Sequence, residues 1–135
     1  MTGRPSVLFV CVKNSGKSQM AAALLRHVAG DTLVVHSAGT HPGGGLNHLS
    51  VQVLSEVGID MTGEHPKALT FEAVHGADLV VTLGREATVD QVPGTRFETW
   101  DTDEPSLRGI EGIERMRQIR DDIAARVEGL NRQLG

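Results

Sequence analysis

Apolar positions fall along the chain in two alternating kinds of run. Ser6-Val-Leu-Phe-Val10 is unbroken after its serine, the pattern of a strand covered on both faces of a parallel sheet. From Ser18 to Ala29 helix formers dominate, Met20, Leu24 and Val28 recur at i, i+4 and i+8, and Gly30 closes the segment. The alternation continues. Thr32–His36 predicts a second strand, Asn47–Val57 a second helix stopped by Gly58, and Thr70–His75 a short helix capped by Thr70. Asp78–Leu83 and Arg96–Trp100 predict two further strands. Ile113, Met116, Ile119, Ile123, Val127, Leu130 and Leu134, three or four apart with charges between them, predict a long amphipathic final helix.

Strands alternating with helices imply an α/β fold: one doubly wound, four-stranded parallel sheet of order 2-1-3-4. No repeat or linker interrupts it, so residues 1–135 read as a single domain. In such sheets ligands bind beyond the carboxyl ends of the strands, where strand order reverses. The segment leaving the first strand, Cys11-Val-Lys-Asn-Ser-Gly-Lys17, lies there.

Composition narrows the chemistry. Thirteen Lys and Arg against 17 Asp and Glu give a net charge of -4, which disfavours binding to a nucleic-acid backbone. The N-terminal apolar stretch is only about seven residues long, too short for a signal segment or a membrane span, so a soluble cytoplasmic protein is expected. Cys11 is the one cysteine, which excludes an internal disulfide and any multi-cysteine metal site. The six histidines show no metal-ligand spacing, and no metal is expected; His41 and Pro42 are candidates for the border of a site entrance. Aromatic residues are scarce: three Phe, one Trp and no Tyr, with Phe9, Phe97 and part of Trp100 assigned to the core.

A short loop between a strand and a helix gathers backbone N–H groups around a concavity and adds the positive end of the helix, which suits an oxyanion. Asn14 and Gly16 tolerate the left-handed conformations such a loop needs, and Lys17 supplies a full charge. A thiol at Cys11 facing those donors is favoured in its nucleophilic thiolate form. Ser15-Gly-Lys-Ser18 also matches the end of the GxxxxGK[ST] pattern of nucleotide hydrolases. Cys11 then occupies the place of the first Gly, and the strand ending at Leu83 carries no metal-holding acid.

Cys11-x5-Lys17-Ser18 after a buried first strand, Ser37-Ala-Gly-Thr40, and an acid-Pro motif before the last helix together resemble the low-molecular-weight protein tyrosine phosphatase family. Ser18-Gln-Met-Ala21 resembles its arsenate reductase branch, and within it the mycothiol-dependent enzymes, the arsenate-mycothiol transferases. The resemblance implies that Cys11 is the loop cysteine, that Val12, Lys13, Asn14, Ser15, Gly16 and Lys17 bind substrate, and that Ser18 donates to the Cys11 sulfur. It further implies that Asn14 braces the loop and that Ser37 joins the Asn14 network. Glu104, immediately before Pro105, is the expected general acid, with Asp103 and Asp101 able to substitute.

Two departures shift the expected substrate. The phosphatases end the loop with Arg, whereas Lys17 is a point charge that lacks the planar fork, weakening phosphoester cleavage by about 2 to 4 kcal/mol. No Tyr follows the acid-Pro motif to grip a phenol ring. A small inorganic oxyanion, arsenate, fits better. With no second cysteine to resolve an intermediate, a soluble thiol must complete the reduction. The resemblance makes mycothiol the co-substrate, without a tightly bound cofactor, and a mycoredoxin or glutaredoxin-like protein the partner that releases arsenite. Whether Cys11 bonds to arsenic or positions it stays open at this level. A weak phosphatase, a P-loop nucleotide hydrolase and a non-catalytic oxyanion-binding module are the alternatives.

Overall fold

A computed structural model describes residues 3–134. Its elements are β1 (Ser6–Cys11), α1 (Lys17–Ala29), β2 (Val34–Gly39), α2 (His48–Ser55), α3 (Phe71–His75), β3 (Leu79–Leu83), β4 (Arg96–Trp100), a 3-10 turn (Pro105–Arg108) and α4 (Gly112–Leu134). The four strands form one parallel sheet in the order β2-β1-β3-β4, as the alternation predicts. β1 lies centrally, and the Asp78 carboxylate accepts from the Ser6 amide at 2.7 Å where the ladder with β3 begins.

Period-two alternation divides the strand side chains between two layers. Val7 and Phe9 of β1, with Leu79, Val81 and Leu83 of β3, pack under α1, α2 and α4. Leu8, Val10 and Val80 face a smaller cluster with Val74 and Ala77, closed by Val89, Val92 and Phe97. Phe9 and Trp100 meet in the larger layer with ring centroids 5.6 Å apart. α4 buries Met116, Ile119, Ile123, Val127 and Leu130 in the expected register. No helix among the described residues is long and apolar enough to cross a membrane.

Three expected boundaries move by two or three residues. The second strand runs from Val34 to Gly39, not from Thr32 to His36. Thr32 still belongs to the turn after α1, its amide and hydroxyl both bonding the Ala29 carbonyl. Pairing with β1 extends to Cys11 opposite Gly39, which draws Ser37, Ala38 and Gly39 into the strand. α2 ends at Ser55, followed by the i to i−3 bonds of Val57 and Gly58 rather than another α turn. In α1, Val28 is 42% exposed although Met20 and Leu24 are buried, because Ser18 to Leu25 are covered nearly all round and Leu25 takes the inward position.

Candidate active site

The loop between β1 and α1 is shaped by where its carbonyls go. Cys11 O accepts from Thr40 N at 3.1 Å, Val12 O from His41 N at 2.8 Å, Lys13 O from Gly43 N at 3.0 Å and Ser15 O from Asn47 N at 2.8 Å. Asn14 O accepts from Gln19 Nε2 at 3.2 Å and Gly16 O from Met20 N at 2.8 Å. Every carbonyl from Cys11 to Gly16 is thus engaged outward, to the β2–α2 connection or to α1. The amides of Lys13, Ser15, Gly16 and Lys17 meet no acceptor among the described residues. The N-cap, Gly16, provides no side-chain cap either. The helix therefore presents its partial positive charge to the concavity, the arrangement that receives an oxyanion.

Asn14 carries the turn. It is fully buried, and its φ of 53° is the only positive value at a non-glycine residue among the described residues. A side chain that bonds locally offsets the cost of that conformation. Its Oδ1 accepts from the Lys67 amide at 2.9 Å, which fixes the orientation of the carboxamide because a backbone N–H can only donate. Nδ2 consequently faces Ser18 and donates to its Oγ at 2.7 Å. The Ser18 hydrogen is then free for Cys11, whose Sγ lies 2.9 Å from that oxygen. The Asn14 amide supplies a second donor to the sulfur at 3.2 Å. Cys11, Asn14 and Ser18 are therefore brought together. Lys17 begins α1 at half exposure and Lys13 is exposed; neither forms an ion pair among the described residues.

Other expected residues are placed differently. Ser37 does not join the Asn14 network: its hydroxyl is buried on β2 with no hydrogen-bond partner. The acidic segment sits at the carboxyl edge of the sheet, after β4, but no hydrogen bond or ion pair links it to the loop among the described residues. Each of its acids is taken by an arginine. Asp101 pairs with Arg85 at 2.9 Å, and Asp103 meets Arg108 through two bonds of 2.9 and 3.0 Å. Glu104 is gripped by Arg115 through two bonds of 2.7 Å. The Arg115 guanidinium, supported by the Ser106 hydroxyl and amide, holds the Glu104 carboxyl down at about 2. Arg108 and Arg85 likewise hold Asp103 and Asp101 below the ordinary carboxylate range. A group so held is ionised at neutral pH, and no bond among the described residues brings Glu104 or Asp103 to the loop as a proton donor. His41 bonds the loop through its backbone while its side chain is exposed.

Residues outside the expected set complete the loop. Gly39 lies so close beneath it that an added Cβ would stand 2.7 Å from Val12 O and 3.0 Å from both Asn14 N and Asn14 Cβ. At Gly43 an added Cβ would stand 2.8 Å from Ser15 Oγ, a side-chain atom that can turn aside. Gln19, 1% exposed, reaches Asn14 and the His65 carbonyl. Gly39 was visible in the sequence as part of Ser37-Ala-Gly-Thr40, but its packing role depends on contacts with a segment 25 or more residues away.

Known proteins share the fold and much of the sequence. The description of the low molecular weight phosphotyrosine protein phosphatases matches residues 6–135. The chain is 34% identical to the arsenate reductase of Bacillus subtilis (strain 168) over 131 residues, covering 90% of this chain and 91% of the relative. It is also 34% identical to the arsenate reductase of Shouchella clausii (strain KSM-K16) over 131 residues, with 90% and 91% covered. Among solved structures, the thioredoxin-dependent arsenate reductase of Corynebacterium glutamicum superposes with a TM-score of 0.83 at 35% identity. That match covers 96% of this chain and 61% of the longer C. glutamicum chain. The chain belongs to the low-molecular-weight phosphotyrosine protein phosphatase family, in its arsenate reductase branch.

Proposed function

We propose that this protein reduces arsenate with the help of an external thiol. The observation that carries the proposal is the loop: six consecutive carbonyls bonded outward, amides left inward, and the Cys11 sulfur at its floor with the Ser18 hydroxyl 2.9 Å away. Lys17 and the amides hold the oxyanion, and Cys11 attacks arsenic. A thiolate and dihydrogen arsenate give a sulfur-bonded arsenate dianion and water, so atoms and charge balance without a proton from the protein. Ionised Glu104 is compatible with that step.

The resolving thiol comes from outside, because the sequence has one cysteine. A small thiol, mycothiol in this proposal, displaces Cys11 from arsenic. A second thiol, on a mycoredoxin or glutaredoxin-like partner, then attacks the mycothiol sulfur. This leaves a mixed disulfide and arsenite, two thiols oxidised for the two electrons arsenic gains. The C. glutamicum relative, described as thioredoxin-dependent, makes thioredoxin the competing reductant. Arsenite release is therefore to be compared with mycothiol plus mycoredoxin, glutathione plus glutaredoxin, and thioredoxin. Turnover is expected with the first pair; turnover with thioredoxin alone overturns the choice of thiol, and none with any donor overturns the activity.

A further inference from the structure

Gln19 is almost completely buried at the third position of α1, where its volume alone could be filled by an apolar side chain. Its amide oxygen is buried without a partner, so the residue is not there to satisfy itself. All its hydrogen bonding is given away: Nε2 lies 3.2 Å from Asn14 O, 3.1 Å from Asn14 Oδ1 and 2.9 Å from His65 O. Two of these acceptors belong to the one loop residue in the left-handed region. The third belongs to the segment that also presents the Lys67 amide to the same Oδ1 and bonds Gly39 through the Lys67 carbonyl at 2.7 Å.

We propose that Gln19 is a positioning residue for Cys11. Its amide nitrogen and the Lys67 amide together hold Asn14 Oδ1, which turns Asn14 Nδ2 onto Ser18 and directs the Ser18 hydroxyl to the Cys11 sulfur. Without the Gln19 donor, Asn14 Oδ1 is held by the Lys67 amide alone, and the chain ending at Cys11 is held less firmly.

The test reads the thiol rather than arsenate, so it separates from the proposed activity while resting on Cys11 as the reactive atom of the loop. Iodoacetamide alkylation of Cys11 is measured at pH 7 for the full chain, for Gln19→Met, for Ser18→Ala and for the double variant. Gln19→Met keeps the volume and removes the donor; alkylation is expected to slow about tenfold, with inorganic phosphate protecting less well. In the Ser18→Ala background the same substitution is expected to add nothing, because both act through one hydrogen-bond chain. Alkylation at the unmodified rate overturns the proposal, and so do effects that multiply in the double variant, which a merely structural role would produce. Should Gln19→Met fail to fold, Gln19→Glu, of the same length but accepting only, carries the comparison. Failure of both to fold assigns the residue to the scaffold and overturns the proposal.

Discussion

Replacing Glu104 by Gln separates two roles that the sequence alone leaves merged. Arg115 holds the Glu104 carboxyl at about 2 in the folded protein against an ordinary value of 4.5. If the whole difference were expressed as stability it would amount to roughly 3.4 kcal/mol. The side chain is 30% exposed and so is its partner, and water screens the pair, so about 1 to 2 kcal/mol is the expected contribution. The sign follows from the lowered folded value. Stabilisation is complete above the unfolded carboxyl's range, and it is lost as pH falls through the folded one.

Urea unfolding of the protein and of Glu104→Gln at pH 7 should differ by about 1 to 2 kcal/mol, with the difference closing between roughly pH 4.5 and pH 2. A difference that does not change with pH, or none at pH 7, would refute the ion-pair account. The functional half is independent. A general acid is worth about a hundredfold to ten-thousandfold in rate, whereas loss of a stabilising pair outside the loop should leave arsenite release within a few-fold. A hundredfold loss in folded Glu104→Gln would assign Glu104 the role of proton donor.

Gly39→Ala places a Cβ 2.7 Å from Val12 O, where only backbone can yield. It should cost about 1 to 3 kcal/mol in thermal unfolding and slow Cys11 alkylation, whereas Gly44→Ala, which meets nothing within 4 Å, should do neither. Lys17→Arg supplies the planar fork and should raise hydrolysis of p-nitrophenyl phosphate by about tenfold or more; no gain would mean that the clamp is not what limits phosphatase chemistry. Cys11→Ser should reduce arsenite release to background, and turnover above about a tenth of the original would argue that Cys11 positions arsenate without bonding to it.

Much of the fold was legible because it is written locally. Apolar runs, the cap Thr70 and the stripe of α4 each signal within a window of a few residues. The start of β2 was misplaced because Thr32 has strand composition but bonds backward to Ala29, and only pairing with β1 carries the strand on to Gly39. At the site the same division holds. Cys11, Asn14 and Ser18 sit close together in sequence and were visible as a motif. Their bracing comes from amides at Thr40, His41, Gly43, Asn47 and Lys67, and backbone donors leave no mark in residue identity.

The acidic segment shows how far such long-range pairing changes the chemistry. Asp101, Asp103 and Glu104 read as a reservoir of protons and negative charge, yet Arg85, Arg108 and Arg115 neutralise them one by one from β3's exit, the 3-10 turn and the first turns of α4. Lys13 and Lys17, by contrast, have no carboxylate partner among the described residues. A chain of net charge -4 would repel an oxyanion if its charges were spread evenly. With these acids already paired, the unpaired positive charge at the loop is that of two lysines, the amides without acceptors and the end of α1. On the proposed function, that local excess of positive charge is what lets an acidic protein draw a small anion onto Cys11.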